Sequence, residues 1–187
     1  MSTGFIKSLK ERITYARMII NERNNLWSCE QTLWALRFDK GSLFPGSAQD
    51  PSLSNHYQFG NQGIGDPMGM SCDELNDFVA AKIGSALKKS KKATAITLSH
   101  GIITDNGMIA FLKGLDATKA PIKALHFRDL QNVSDKSLDL LPEIIEKKGI
   151  TLCEINIRGI SQNLMKRINS ACNKNIKLPK GKELSNS

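Results

Sequence analysis

The sequence predicts an α/β protein built as a short repeat solenoid, with parallel strands on a concave face and helices on the convex face. Two observations predict it. An apolar trio spaced x, x+3, x+5 occurs four times, as Leu33/Leu36/Phe38, Ala93/Ile96/Leu98, Ile122/Leu125/Phe127 and Leu152/Ile155/Ile157. The last three starts lie 29 and 30 residues apart, and the first two lie 60 apart, or two such periods. A fixed period of this size, holding one short strand and one helix, marks stacked structural repeats. The second observation is that the segment after the strand also repeats. Ile103-Thr104-Asp105-Asn106-Gly107-Met108 with Phe111 and Leu112 aligns without a gap on Val133-Ser134-Asp135-Lys136-Ser137-Leu138 with Leu140 and Leu141.

Taken in order, residues 1–28 predict an amphipathic capping helix. Phe5, Leu9, Ile13, Ala16 and Ile20 recur at helical steps, with Lys7, Lys10, Arg12 and Arg17 elsewhere on its surface. An open-ended solenoid needs such a cover over its first repeat. The repeat domain is expected to span 29–173. Within it, 40–70 reads as an insertion loop, because Gly41, Gly46, Gly60, Gly63, Gly65 and Gly69 with Pro45, Pro51 and Pro67 break the rhythm. The strand missing between 38 and 93 has one poorly fitting candidate, Ser54/Tyr57/Phe59, whose first position is polar.

Ser71-Cys72-Asp73-Glu74 has the pattern of a capping box, followed by Leu75, Phe78, Val79 and Ile83 at helical spacing. Thr104 or Asp105, and Ser134 or Asp135, supply the short oxygen-bearing side chains that accept the orphan amide hydrogens of a first helical turn. Ser161 to Cys172, with Leu164, Met165 and Ile168, predicts the closing helix, and 174–187 a flexible basic tail.

These trios and helices resemble the leucine-rich repeat of the ribonuclease-inhibitor type over roughly residues 30 to 170. The resemblance implies strands on the concave face and full helices outside. The chain departs from the family where an asparagine usually follows the strand, since Gly101 and Leu130 stand near those positions. An ordinary α/β domain with parallel strands and crossover helices is the alternative architecture.

The chain has 187 residues, 40% of them hydrophobic, enough for one sizeable core. No stretch is long and apolar enough to span a bilayer, and Met1 to Lys10 lacks the apolar run of a secretory signal. A cytoplasmic location is expected, with translocation into a host cell requiring a route that uses no cleavable signal. Cys29, Cys72, Cys153 and Cys172 form no Cys-x-x-Cys pair and are expected as reduced thiols, Cys153 and Cys172 buried as small apolar residues.

No cofactor is implied. Gly63-Ile64-Gly65 with Gly69 lacks the preceding strand, the glycine spacing and the Lys-Ser or Lys-Thr pair of a nucleotide loop. His56, His100 and His126 are isolated, so neither a metal cluster nor a Cys-His pair is predicted. The protein is read as non-enzymatic, with a cryptic cysteine-dependent enzyme as an alternative.

In such a solenoid, residues between the apolar strand positions point outward. They give Arg37, Thr97, His126 and Asn156 in one column and Asp39, Ser99, Arg128 and Arg158 in the next. This polar, basic strip is the predicted partner-binding surface, with His56, Tyr57 and Phe59 as loop candidates. The net charge of +8, with Lys88, Lys89, Lys91 and Lys92 clustered, favours acidic partners.

A protein partner is expected for a monomeric chain. Nucleic acid is the weaker alternative, because the lysines lack interleaved aromatics. A basic helix lying on an anionic membrane is a minor one. Irregular repeats rich in lysine and asparagine resemble effectors that intracellular bacteria inject into host cells, which implies a host protein or a fellow effector as partner.

Overall fold

Among the described residues, short segments with alternating side chains form four strands. The computed structural model describes residues 29–39, 55–60 and 75–176. Helix α1 (Cys29–Phe38) is followed by β1 (His56–Gly60), α2 (Asp77–Leu87), β2 (Ala95–Ser99), α3 (Asp105–Ala117) and β3 (Ala124–Arg128). Then come the short α4 (Asp135–Leu138), α5 (Leu141–Lys148), β4 (Leu152–Asn156) and α6 (Gln162–Ile176). The strands form one parallel sheet in the order β1-β2-β3-β4, so the protein is mixed α/β. None of the described helices is long and apolar enough to cross a membrane.

Register fixes which side chains face the helices. Tyr57, Ile96, Leu125 and Cys153 lie in one row, and Phe59, Leu98, Phe127 and Ile155 in the next. Both rows belong to or pack against a single core with Ala80, Ile83, Phe111, Leu112, Leu115, Ile145, Leu164 and Ile168 from the helices. Phe111 meets Phe127 edge-on at 6.0 Å between ring centres. All of the buried apolar helix residues described join this core, which takes only one face of the sheet.

Three sequence expectations are corrected here. Leu33/Leu36/Phe38 is helical, because a three-residue step is also one helical turn. The segment is rich in helix formers, and Trp34 and Phe38 meet as an i, i+4 pair at 5.2 Å. Ser54/Tyr57/Phe59 does mark the missing strand. Tyr57 and Phe59 are each 1% exposed in β1, inside the span expected to be an insertion loop, and Ser54 lies outside the described residues. In the last unit the phase is two residues early: Ile150/Cys153/Ile155 has the same x, x+3, x+5 spacing as Leu152/Ile155/Ile157. Burial selects the former, with Ile150 at 0% and Leu152 at 44% exposure.

Hydrogen bonds connect successive units at corresponding positions. Ahead of β2 the Asn55 carbonyl accepts from Thr94 and Ala95. Thr94 accepts from Lys123 and Ala124 in the same way, and Lys123 from Thr151 and Leu152. At the opposite edge, an aspartate in the first turn of α2, α3 and α4 grips the start of the helix that opens the following unit. Asp77 accepts from the Thr104 amide and hydroxyl at 2.7 and 2.6 Å, and Asp105 accepts from the same two groups of Ser134 at 2.8 and 2.7 Å. Asp135 accepts from the Ser161 amide at 3.0 Å. These contacts hold the Asp105 and Asp135 carboxyls below their ordinary pKa, the serine hydrogen bonds being the main cause.

Helix starts differ in detail from expectation. Asn76 caps α2 by accepting from the Val79 amide, and Phe78 is exposed; the Ser71 to Glu74 pattern lies outside the described residues. Thr104 caps α3 as expected, whereas the Ser134 hydroxyl is engaged by Asp105. Pro142, without an amide hydrogen, sits in the first turn of α5, so the stretch after Val133 is two helices. The closing helix runs through Ile176, with Lys174 paired to Glu146 at 2.7 Å, so the expected tail starts too early. The expected capping helix of 1–28, the Gly63 to Gly69 segment and residues 177–187 also lie outside the described residues.

Candidate functional site

Strand alternation places His56, Gln58 and Gly60 of β1 on the face away from the core. Beside them are Ala95, Thr97 and Ser99 of β2, Ala124, His126 and Arg128 of β3, and Leu152, Glu154 and Asn156 of β4. Polar side chains on this face form a connected chain across the sheet. His56 Nε2 and Thr97 Oγ1 share a hydrogen bond of 2.7 Å. The His56 and His126 rings stack at 5.6 Å and 28°. His126 Nδ1 donates to Glu154 Oε2 at 2.9 Å, and Arg128 Nη2 donates to the same oxygen at 3.0 Å. An ionised carboxylate only accepts, so the proton of a neutral His126 sits on Nδ1 and leaves Nε2 as an acceptor.

Exposure grades across the face. Thr97 and Ser99 are 4% and 2% exposed, while Arg128, Leu152, Glu154 and Asn156 are open to solvent. Ser99 Oγ donates to the Phe59 carbonyl at 3.4 Å. At the strand ends His100 and Asp129 both take left-handed φ of 51°, and their side chains approach to 3.6 Å. The accessible surface therefore combines a cation, acceptors and an amide with the apolar Leu152 beside Ala124.

Of the residues expected to bind a partner, the structure brings together Thr97, Ser99, His126, Arg128 and Asn156, and it adds His56. Asn156 stands in the row of Arg128, one row from its expected place, because the last unit is two residues out of phase. Arg158 lies in a turn past β4. Arg37 lies in the last turn of α1, and Asp39 follows the helix, accepting from the Ser90 hydroxyl and the Lys91 and Lys92 amides. Neither is on the sheet. Tyr57 and Phe59 point into the core. Gln58, Leu152 and Glu154 were missed; the signal for Gln58 was the Tyr57 and Phe59 pair flanking it, and for Leu152 and Glu154 it was Cys153, a small apolar residue in the inward position.

Cys153 and Cys172 are buried, and burial raises both thiols above their ordinary pKa, opposite to what an activated nucleophile needs. Among the described residues no three His, Cys, Asp or Glu side chains gather as metal donors.

Burial first, then the charges of His126 and Arg128, lowers the His56 pKa from 6.5. The unfolded chain then binds the proton more readily than the folded one. The associated stability is present above pH 6.5 and is lost as pH falls through the lowered value. Glu154 is shifted in the same direction from 4.5, chiefly by the His126 hydrogen bond, so its window is more acidic. His56→Gln is expected to reduce the fall in melting temperature between about pH 7.5 and about pH 5.5. An unchanged pH slope would remove His56 as its source.

No protein-family model matches the chain, and no curated protein matches it.

Proposed function

We propose that the chain is a leucine-rich-repeat solenoid of the ribonuclease-inhibitor type, a non-enzymatic module whose strand face docks an acidic segment of a partner protein. The observation carrying this reading is that, among the described residues, the apolar core packs on one face of the parallel sheet. Parallel sheets ordinarily bury both faces under helices, yet here the buried apolar residues of the described helices all lie in one core. Strands in chain order and matching hydrogen bonds between units support the repeat architecture.

The open face suits a protein segment. Arg128 offers a forked donor to a carboxylate, and Asn156 offers donors and an acceptor to a main chain. Leu152, 44% exposed, offers an apolar anchor point. Glu154 pulls Arg128 and His126 onto one oxygen, which preorganises the donors before a partner arrives. The net charge of +8 steers an acidic partner toward the chain. A host protein or a fellow effector fits this role.

Arg128→Glu is expected to abolish partner binding while leaving the thermal melt nearly unchanged, since an exposed ion pair contributes about 0–1 kcal/mol to folding. Full affinity in that variant would overturn the strand-face site.

A further inference from the structure

A second surface, on the opposite side of the core, has the chemistry of an anion site. Helices α1 and α2 run side by side with their C-terminal ends together, because Asp39, just past α1, bonds the turn just past α2. Between them lies a groove of about 310 Å³ lined by Leu33 and Arg37 of α1 and by Lys82, Ser85, Ala86 and Lys89 on or just beyond α2. Among the described residues, three cations and no carboxylate line it.

Lys88, Lys91 and Lys92 extend the charge beyond its end, all exposed. The carboxylate beside them, Asp39, is committed to the Ser90 hydroxyl at 2.6 Å and to the amides of Lys91 and Lys92 at 3.0 and 3.2 Å. Among the described residues the ammonium groups of Lys88, Lys89, Lys91 and Lys92 have no partner.

Lysines near a helix C-terminus ordinarily complement the macrodipole. That accounts for Lys88 and Lys89, but not for Lys82 in the middle of α2. The later units use such lysines internally. Lys123 donates to the Gly149 carbonyl, Lys148 to that of Thr118, and Lys147 pairs with Asp116. At the α1–α2 end no described carboxylate pairs with Lys88, Lys89, Lys91 or Lys92. Arg37 lies over the Phe38 ring at 5.6 Å and Lys82 over Phe78 at 4.2 Å, which orients both cations at the groove rim.

We propose that this groove binds a ligand carrying clustered phosphates on a compact carbon ring. Arg37 forks onto one phosphate, Lys82 and Lys89 hold a second, and Leu33 and Ala86 receive the ring carbons. The volume is at the small end of the range for ligand sites, about 300–1,000 Å³, which suits an inositol polyphosphate. The same chemistry exists free in solution and as a phosphoinositide headgroup on a membrane. The site is separate from the strand face and does not depend on it.

Titration calorimetry with inositol 1,4,5-trisphosphate, using the full chain, tests the site. Co-sedimentation uses phosphatidylcholine vesicles containing phosphatidylinositol 4,5-bisphosphate or phosphatidylserine at matched charge. The paired variant Arg37→Gln/Lys89→Gln is expected to weaken trisphosphate binding about tenfold or more, as loss of charge-assisted hydrogen bonds does. The charge-matched control Lys136→Gln/Lys166→Gln is expected to change it less than about twofold.

Trisphosphate binding together with co-sedimentation on the bisphosphate vesicles alone would identify a lipid headgroup. Trisphosphate binding without either vesicle would identify a soluble ligand. No trisphosphate binding, equal losses in the two paired variants, or equal co-sedimentation on both charged vesicles would overturn the proposal.

Discussion

Leu125→Ala lowers stability by about 2–5 kcal/mol, the range for a buried leucine truncated to leave a cavity. Leu125 is 0% exposed and sits in the inward row with Tyr57, Ile96 and Cys153. Leu152→Ala is the informative companion. The trio spacing read from the sequence makes Leu152 a core residue one repeat later, but the register places it on the open face at 44% exposure. Its truncation is expected to cost under about 0.5 kcal/mol. Chemical denaturation of the two variants decides the phase, and comparable losses would restore the sequence-derived register.

The second large effect is at the contact of α2 with α3. A Cβ built on Gly114 would lie 2.2 Å from both the Cα and the carbonyl oxygen of Gly84. Those are backbone atoms of the facing helix, so no rotamer change relieves the clash and the two helices must part. Parting them pulls Ile83 and Phe111 away from the same core. Gly114→Ala is therefore expected to destabilise by about 3 kcal/mol, the upper part of the overpacking range, although alanine is otherwise the better helix former. A stability equal to or above wild type in a denaturant melt would mean that the helices do not approach this closely.

These two sites show what was legible in the chain. Ile96, Leu98, Leu125 and Phe127 stand in the core as their spacing predicts, and Thr104 caps its helix. Periodicity carried those positions because burial of one strand face repeats wherever the units stack. It failed at Leu33 and Leu36, where one spacing serves helix and strand alike. It failed again at Leu152, where two overlapping trios compete and only packing chooses between them. The surface suffered most from the second failure. A shift of two residues keeps the alternating polar positions on their face but changes their row, so Asn156 moved beside Arg128, Arg158 left the strand, and Glu154 went unseen as the carboxylate linking His126 to Arg128.

Two features had no sequence signal strong enough to find. The Asp77, Asp105 and Asp135 ladder uses the residue after each cap, and its acceptors bond a helix start 26 to 29 residues further along. The α1–α2 groove joins Arg37 to Lys82 and Lys89, which are far apart in the chain and meet only because α1 is a helix.

The central claim is that the open strand face is where a partner protein docks. Site-specific photocrosslinking tests it most directly, with the photoreactive residue at Asn156 on the strand face or at Lys166 on the exposed side of α6. Each version is incubated with host-cell and with bacterial lysate. The account predicts one discrete protein adduct from position 156, lost when Arg128→Glu is added, and none of that adduct from position 166. An adduct that forms from position 166 alone, or one from position 156 that survives Arg128→Glu undiminished, would contradict it.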